Sequence, residues 1–182
     1  MNENPHDEQL FLHCRAGDRQ AFAEVTTRYG KPVYGFLSAF LGGNASRKKE
    51  LMHLAFAEGF TAYQPQESSQ SLLVLVMQAL FKMLVRENPA PPVEEAPGAA
   101  LHIQWILKTL MQLSVEEKGL ILLRLQMDFL YEEIAFVFSL SEPTVKQKLK
   151  NARLRFRELV AVSMKGQYRE LRKNSGKDTQ LS

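Results

Sequence analysis

Between Leu113 and Arg157 the chain reads LSVEEKGLILLRLQMDFLYEEIAFVFSLSEPTVKQKLKNARLRFR, and helical periodicity runs through this stretch with one short break. Ile134, Val137 and Phe138 give the segment Tyr131 to Phe138 an apolar side. Ser139-Leu140-Ser141 then interrupts the pattern. Ser141 is a residue type whose hydroxyl accepts from an open amide in the first turn of a new helix. Pro143 fits inside that turn, where a missing amide costs little. From about Glu142 to Val162, the residues Val145, Leu149, Ala152, Phe156 and Leu159 recur at spacings of three and four, so they share one face. Two short amphipathic helices joined by so tight a turn predict a helix-turn-helix.

The second helix carries a charge pattern. Lys146, Lys150, Arg153 and Arg157 repeat the helical spacing on a face beside the apolar one, with Lys148 and Arg155 flanking them. Residues 146–173 hold ten Lys or Arg and two Glu, a net +8, whereas the whole chain is +3 and the remainder therefore about −5. A cationic stripe alone is commonly a solvated helix face. Combined with the cap, the break and the apolar face, it has the footprint of an element that meets phosphates. Thr144, Lys146, Gln147 and Lys150 lie in the early turns, where a recognition helix reaches base edges. Gln147 suits an adenine, and a Lys suits a guanine.

The stretch LILLRL…YEEIAFVFSLSEPTVKQKLKNARLRFREL resembles the C-terminal domain of extracytoplasmic-function (ECF) sigma factors, the domain that reads the −35 promoter element. Tyr131-Glu132-Glu133-Ile134-Ala135, Ser141-Glu142, Thr144-Val145-Lys146 and Ala152-Arg153 match that family in order and spacing. Asp7 to Asn44 looks like the start of the same family's core-binding domain, through Arg15-Ala16-Gly17-Asp18, Ala21-Phe22, Tyr29-Gly30 and Val33-Tyr34. The resemblance implies a sigma factor that binds core RNA polymerase and directs it to promoter DNA, with an anti-sigma factor as a further possible partner. It assigns DNA contact to Glu142, Thr144, Lys146, Gln147, Lys150, Arg153 and Arg157. It assigns polymerase contact to the positions of Glu50, Leu51, His53 and Leu54.

Two segments depart from the family. Its polymerase-binding helix is usually acidic, but here Arg47 and Lys49 replace acidic positions, only Glu50 is kept, and the usual Gln-Glu pair becomes His53-Leu54. Like charges across an interface cost several kcal/mol. The family's promoter-melting helix usually carries Trp, Arg and Asn, but Leu72 to Leu80 reads LLVLVMQAL. That stretch lacks the aromatic or basic groups that hold an unstacked base. It is apolar enough to predict burial in the core or against a partner helix. Two alternatives therefore stand beside the sigma factor: a sigma-like interaction module acting as an anti-sigma decoy, and a DNA-binding regulator that no longer binds core polymerase.

Period-2 alternation is scarce, so the predicted fold is all-α, two small helical domains joined by a linker. Four prolines between Asn88 and Gly98 favour extended chain there. The predicted organisation is a core-binding-like domain at 1–87, a Pro-rich linker at 88–100, the helix-turn-helix domain at 101–165, and a flexible tail at 166–182. The linker predicts halves free to change their relative placement.

The remaining sequence shows no catalytic constellation. His6, His13, His53 and His102 are scattered, without metal-ligand spacing, and no cofactor motif is present. Cys14, the sole cysteine, sits on an apolar-leaning helix and reads as a core or boundary residue. Glu116-Glu117 and Glu132-Glu133 read as helix-start charges favoured by the dipole. Trp105 falls among apolar neighbours. The polar start from Asn2 to Glu8 is unlike a signal sequence, and the apolar run at 72–85 is too short to span a bilayer. These features predict a cytoplasmic protein without membrane insertion, and no enzyme.

Overall fold

In this computed structural model, residues 5–41, 44–63, 70–87 and 101–175 are described, with side chains at 9–14, 16–41, 44–63, 70–87 and 106–163. All eight elements among them are helices: α1 (Pro5–Arg15), α2 (Arg19–Leu41), α3 (Ala45–Ala62), α4 (Leu72–Glu87), α5 (Leu101–Leu110), α6 (Val115–Leu125), α7 (Tyr131–Phe138) and α8 (Glu142–Ser175). The predicted linker at 88–100 lies outside the described residues, and so do the side chains of His6, His102 and Trp105.

Helices α1 to α4 form one half. Phe11, Phe36, Phe40, Phe56 and Leu51 are fully buried there, and Phe11 packs edge-on to Tyr63 with ring centroids 4.9 Å apart. Helices α3 and α4 meet closely at Gly59, where an added Cβ would stand 2.6 Å from Val76 Cγ2 and 3.1 Å from the Val76 backbone nitrogen. Any larger residue there must push the two helices apart. Asn44 starts α3 by accepting from Arg47 N at 3.0 Å, which satisfies one of the open first-turn amides.

The apolar run of α4 is buried on nearly every side: Leu72 through Met77, Ala79 through Phe81, and Leu84. One side faces α3. The other faces the second half. The Phe81 ring packs on Phe138 of α7 with centroids 4.2 Å apart. Gln78 Nε2 donates to the Phe136 carbonyl at 3.0 Å. A Cβ on Gly119 of α6 would lie 2.5 Å from Phe81 and 3.1 Å from Phe138, so only glycine fits between the rings. The two halves share one continuous apolar core.

In the second half, α6 opens on a capping box: Ser114 Oγ accepts from Glu117 N at 3.2 Å, and Glu117 Oε2 accepts from Ser114 N at 2.9 Å. Glu133 accepts from Leu130 N at 2.6 Å at the start of α7. The acidic pairs Glu116-Glu117 and Glu132-Glu133 thus sit in helix first turns. Helix α8 continues to Ser175, past the Val162 limit of the sequence pattern and into the segment read as a tail.

Candidate nucleic-acid interface

The helix-turn-helix falls where its pattern places it. Helix α7 ends at Phe138, and Ser139 takes a left-handed conformation (φ 55°, ψ 45°) while its N–H donates back toward Ala135 and Phe136 carbonyls. Leu140 N donates to Ala135 O at 2.9 Å, which closes the turn. Ser141 then caps α8: Thr144 N donates to Ser141 Oγ at 3.4 Å, and the two hydroxyls lie 2.8 Å apart. Val145, Leu149 and Ala152 are at most 1% exposed, and Phe156 and Leu159 pack partly buried beside them. Burying a Val or Leu side chain contributes about 1.5–3 kcal/mol, so this face fixes which side of α8 points outward.

The outward side carries the predicted contact residues. Glu142, Lys146, Gln147, Lys150 and Arg157 are exposed, and Thr144 and Arg153 are half-buried. Lys146 Nζ is held 3.2 Å from Glu142 Oε2 and lies 5.1 Å from the centre of the Tyr131 ring. Arg124 stacks on the same ring at 5.4 Å, so Tyr131 joins α6, α7 and α8 through two cations. Gln147 Nε2 donates to Asn151 Oδ1 at 3.1 Å, which places two amide side chains together on the exposed face. Lys150, Arg153 and Arg157 have no ion pair among the described residues.

The two cations flanking the stripe lean toward α6. Lys148 bridges to Glu116 at 3.0 Å, and Arg155 lies 3.8 Å from Glu117. Both tie α8 to the acidic first turn of α6. The cationic surface is therefore narrower than the sequence suggests, and centres on Lys146, Lys150, Arg153 and Arg157. Sequence reading missed these pairings and the role of Tyr131, because the partners lie far apart along the chain. Asn151 does carry a local signal, its four-residue spacing from Gln147.

The four positions assigned to polymerase contact divide. Glu50, His53 and Leu54 are exposed on α3, whereas Leu51 is 0% exposed and belongs to the core. The Leu51 side chain packs inside the apolar core. Arg47 is satisfied within the chain: it bridges Glu50 and, across to the end of α4, Glu87, with Arg47 Nε 3.3 Å from Glu87 Oε2. Glu50 and then Glu87 raise the Arg47 pKa further. Glu50, the acid kept from the family's pattern, is thus paired within its own chain, with Arg47 shared between it and Glu87.

No curated protein matches the chain. Residues 103–156 match the family model "Sigma-70, region 4", which spans α5 to α8 and includes every predicted DNA-contact residue except Arg157. Residues 103–156 thus carry the likeness to sigma-70 region 4. Among solved structures, the sigma factor RpoE of Bartonella quintana, determined in complex with the anti-sigma factor NepR, is similar with a TM-score of 0.60 at 18% identity. The alignment covers 78% of this chain and 97% of that one, so the likeness in fold extends beyond region 4 into the first half. The matched region 4 segment is the helix-turn-helix half, and α8 is its outward-facing cationic helix. No described helix is long and apolar enough to cross a membrane.

Proposed function

We propose that this chain is an ECF-type sigma factor that brings RNA polymerase to promoters through α8 of its region 4. The observation that carries this reading is the capped α8 itself: its apolar face is locked into the core while Lys146, Gln147, Lys150, Arg153 and Arg157 share the open side. Lys150, Arg153 and Arg157 would engage phosphates, and Gln147 with Asn151 would present amides to base edges, the geometry suited to adenine. Glu142 holds Lys146 in place, and Thr144 is tied to the cap. The RpoE structure's anti-sigma partner supports an anti-sigma factor as a partner here too.

A Lys146→Ala, Lys150→Ala double variant tests the assignment. Its DNA affinity should fall, and its log–log salt slope should flatten by about 0.9 for each phosphate left without its cation. Unchanged binding and slope would remove α8 from the DNA contact.

A second reading, a DNA-binding regulator without core polymerase, has a specific observation behind it. Arg47 pairs with Glu50 of α3, and Leu72 to Leu80 of α4 holds neither an aromatic nor a basic group for melting DNA. Binding of purified chain to core RNA polymerase separates the two readings: binding favours the sigma factor, and none favours the regulator.

A further inference from the structure

Lys146 and Lys150 stand one turn apart on the open side of α8, yet they are held differently. Lys150 is exposed and makes no ion pair among the described residues. The Lys146 ammonium lies 3.2 Å from Glu142 Oε2 and 5.1 Å from the centre of the Tyr131 ring. The Lys146 side chain still keeps 53% of its surface open, so the group is steered without being buried. Tyr131 is itself held. It begins α7 and packs partly buried against the core. Arg124 of α6 stacks on the same ring at 5.4 Å, and its guanidinium donates to Asp128 Oδ1 and to the Phe129 carbonyl, each at 3.0 Å. A fixed support thus runs from the end of α6, through one ring, to a cation on α8.

A free lysine loses rotamer freedom when it docks in one geometry, and that cost is avoided where the geometry is set beforehand. Phosphate contact does not need such order, because an ammonium meets a phosphate as a point charge. A base edge does need it: guanine offers a lysine two acceptors, O6 and N7, at fixed places in the major groove. Lys146 also shares its charge with Glu142, which leaves it less to offer a phosphate than Lys150 has. The held cation therefore suits a base and the free one the backbone. Contacts to bases specify, and contacts to phosphates position.

We propose that Tyr131 is a positioning residue for base reading: the face of its ring, braced by Arg124, aims the Lys146 ammonium at a base edge and leaves Lys150 to the phosphate backbone. This role rests on the DNA-contact reading of α8 given above. The ring face does the holding, since the ring quadrupole is what draws a cation. The hydroxyl of Tyr131 is dispensable for it.

Binding by the full-length chain is compared on two duplexes: one that the parent chain selects from a random pool, and one of random sequence. Tyr131→Phe should keep the parent's ratio of the two affinities. Tyr131→Leu should lower that ratio by roughly two- to fivefold, the size of an exposed cation–π contact. It should leave affinity for the random-sequence duplex and its salt slope unchanged. In a Lys146→Ala background, Tyr131→Leu should lower the ratio no further, because the two residues act as one unit. Lys150→Ala should instead weaken both duplexes alike and flatten both salt slopes. A Tyr131→Leu loss that is equal on the two duplexes, or that persists without Lys146, overturns the positioning role and leaves a structural one. So does a Tyr131→Phe variant as impaired as Tyr131→Leu. If Tyr131→Leu does not fold, fluorinated phenylalanines at position 131 keep the shape and drain the ring face; a ratio that falls with fluorination bears the role out, and a constant ratio overturns it. A parent chain that selects no duplex from the pool would instead overturn the base-reading assignment of α8, and the role of Tyr131 with it.

Discussion

Ser139 occupies a backbone conformation that favours glycine. Its φ of 55° costs a residue with a Cβ roughly 1–2 kcal/mol. Ser139→Gly should stabilise the protein by about 1 kcal/mol, less the greater unfolded-chain entropy of glycine, measurable as a raised midpoint in thermal denaturation; a lowered midpoint would show that the Ser139 hydroxyl matters more than its backbone. Lys118 makes a pH-dependent prediction. Its pKa in the folded chain lies below the unfolded value of 10.5, so between the two the unfolded chain binds more protons and stability rises with pH. Lys118→Met should remove that rise and stabilise the protein at neutral pH by about 1–3 kcal/mol, the cost of a poorly satisfied buried polar group. At Cys14, burial first, then Asp18 and Glu24, raise the thiol pKa. Its reaction with a thiol reagent at neutral pH should be slower than that of an unstructured cysteine, and a fast reaction would contradict its half-buried place. Single residues were the least legible level of the sequence. Cys14 could be placed from helical spacing, but Leu51 could not be assigned to the core from a family position alone. Lys118 carried no signal at all, because its neighbours include Phe40 of α2, far away along the chain.

At the level of elements, the sequence was most readable where apolar spacing and punctuation agree. The break at Ser139 to Ser141 and the buried row Val145, Leu149 and Ala152 both follow from local rules. Ala152 lies fully buried where α8 meets the rest of region 4, so Ala152→Leu should overpack and destabilise by about 1–3 kcal/mol in chemical denaturation. Helix α4 was legible as a buried helix, but not as to what covers it. Its outer cover comes from α6 and α7, and a periodic apolar run does not name its neighbour. The cationic stripe was legible as a stripe, but overcounted. Lys148 and Arg155 answer the α6 acids Glu116 and Glu117, more than thirty residues away in sequence. Lys148→Ala should therefore flatten the salt dependence of DNA binding less than Lys150→Ala does. Equal effects would mean that the Glu116 bridge opens on DNA.

Across the whole molecule, composition gave the all-α class and motif order gave the resemblance to ECF sigma factors, while the relation between the halves had to come from the structure. Prolines between Asn88 and Gly98 describe a join, not the surfaces it joins. The Phe81–Phe138 contact and the glycine between them link the two halves through one core. The charge imbalance also acts at this scale. A net of +8 over residues 146–173 on a +3 chain steers one end toward DNA. The most direct test of the sigma-factor account is to mix the chain with core RNA polymerase and genomic DNA fragments of the same organism, then sequence the fragments retained. The account predicts fragments that share an upstream element, recovered with chain and polymerase together and with neither alone. Recovery of the same fragments by the chain alone, unchanged by polymerase, would contradict it.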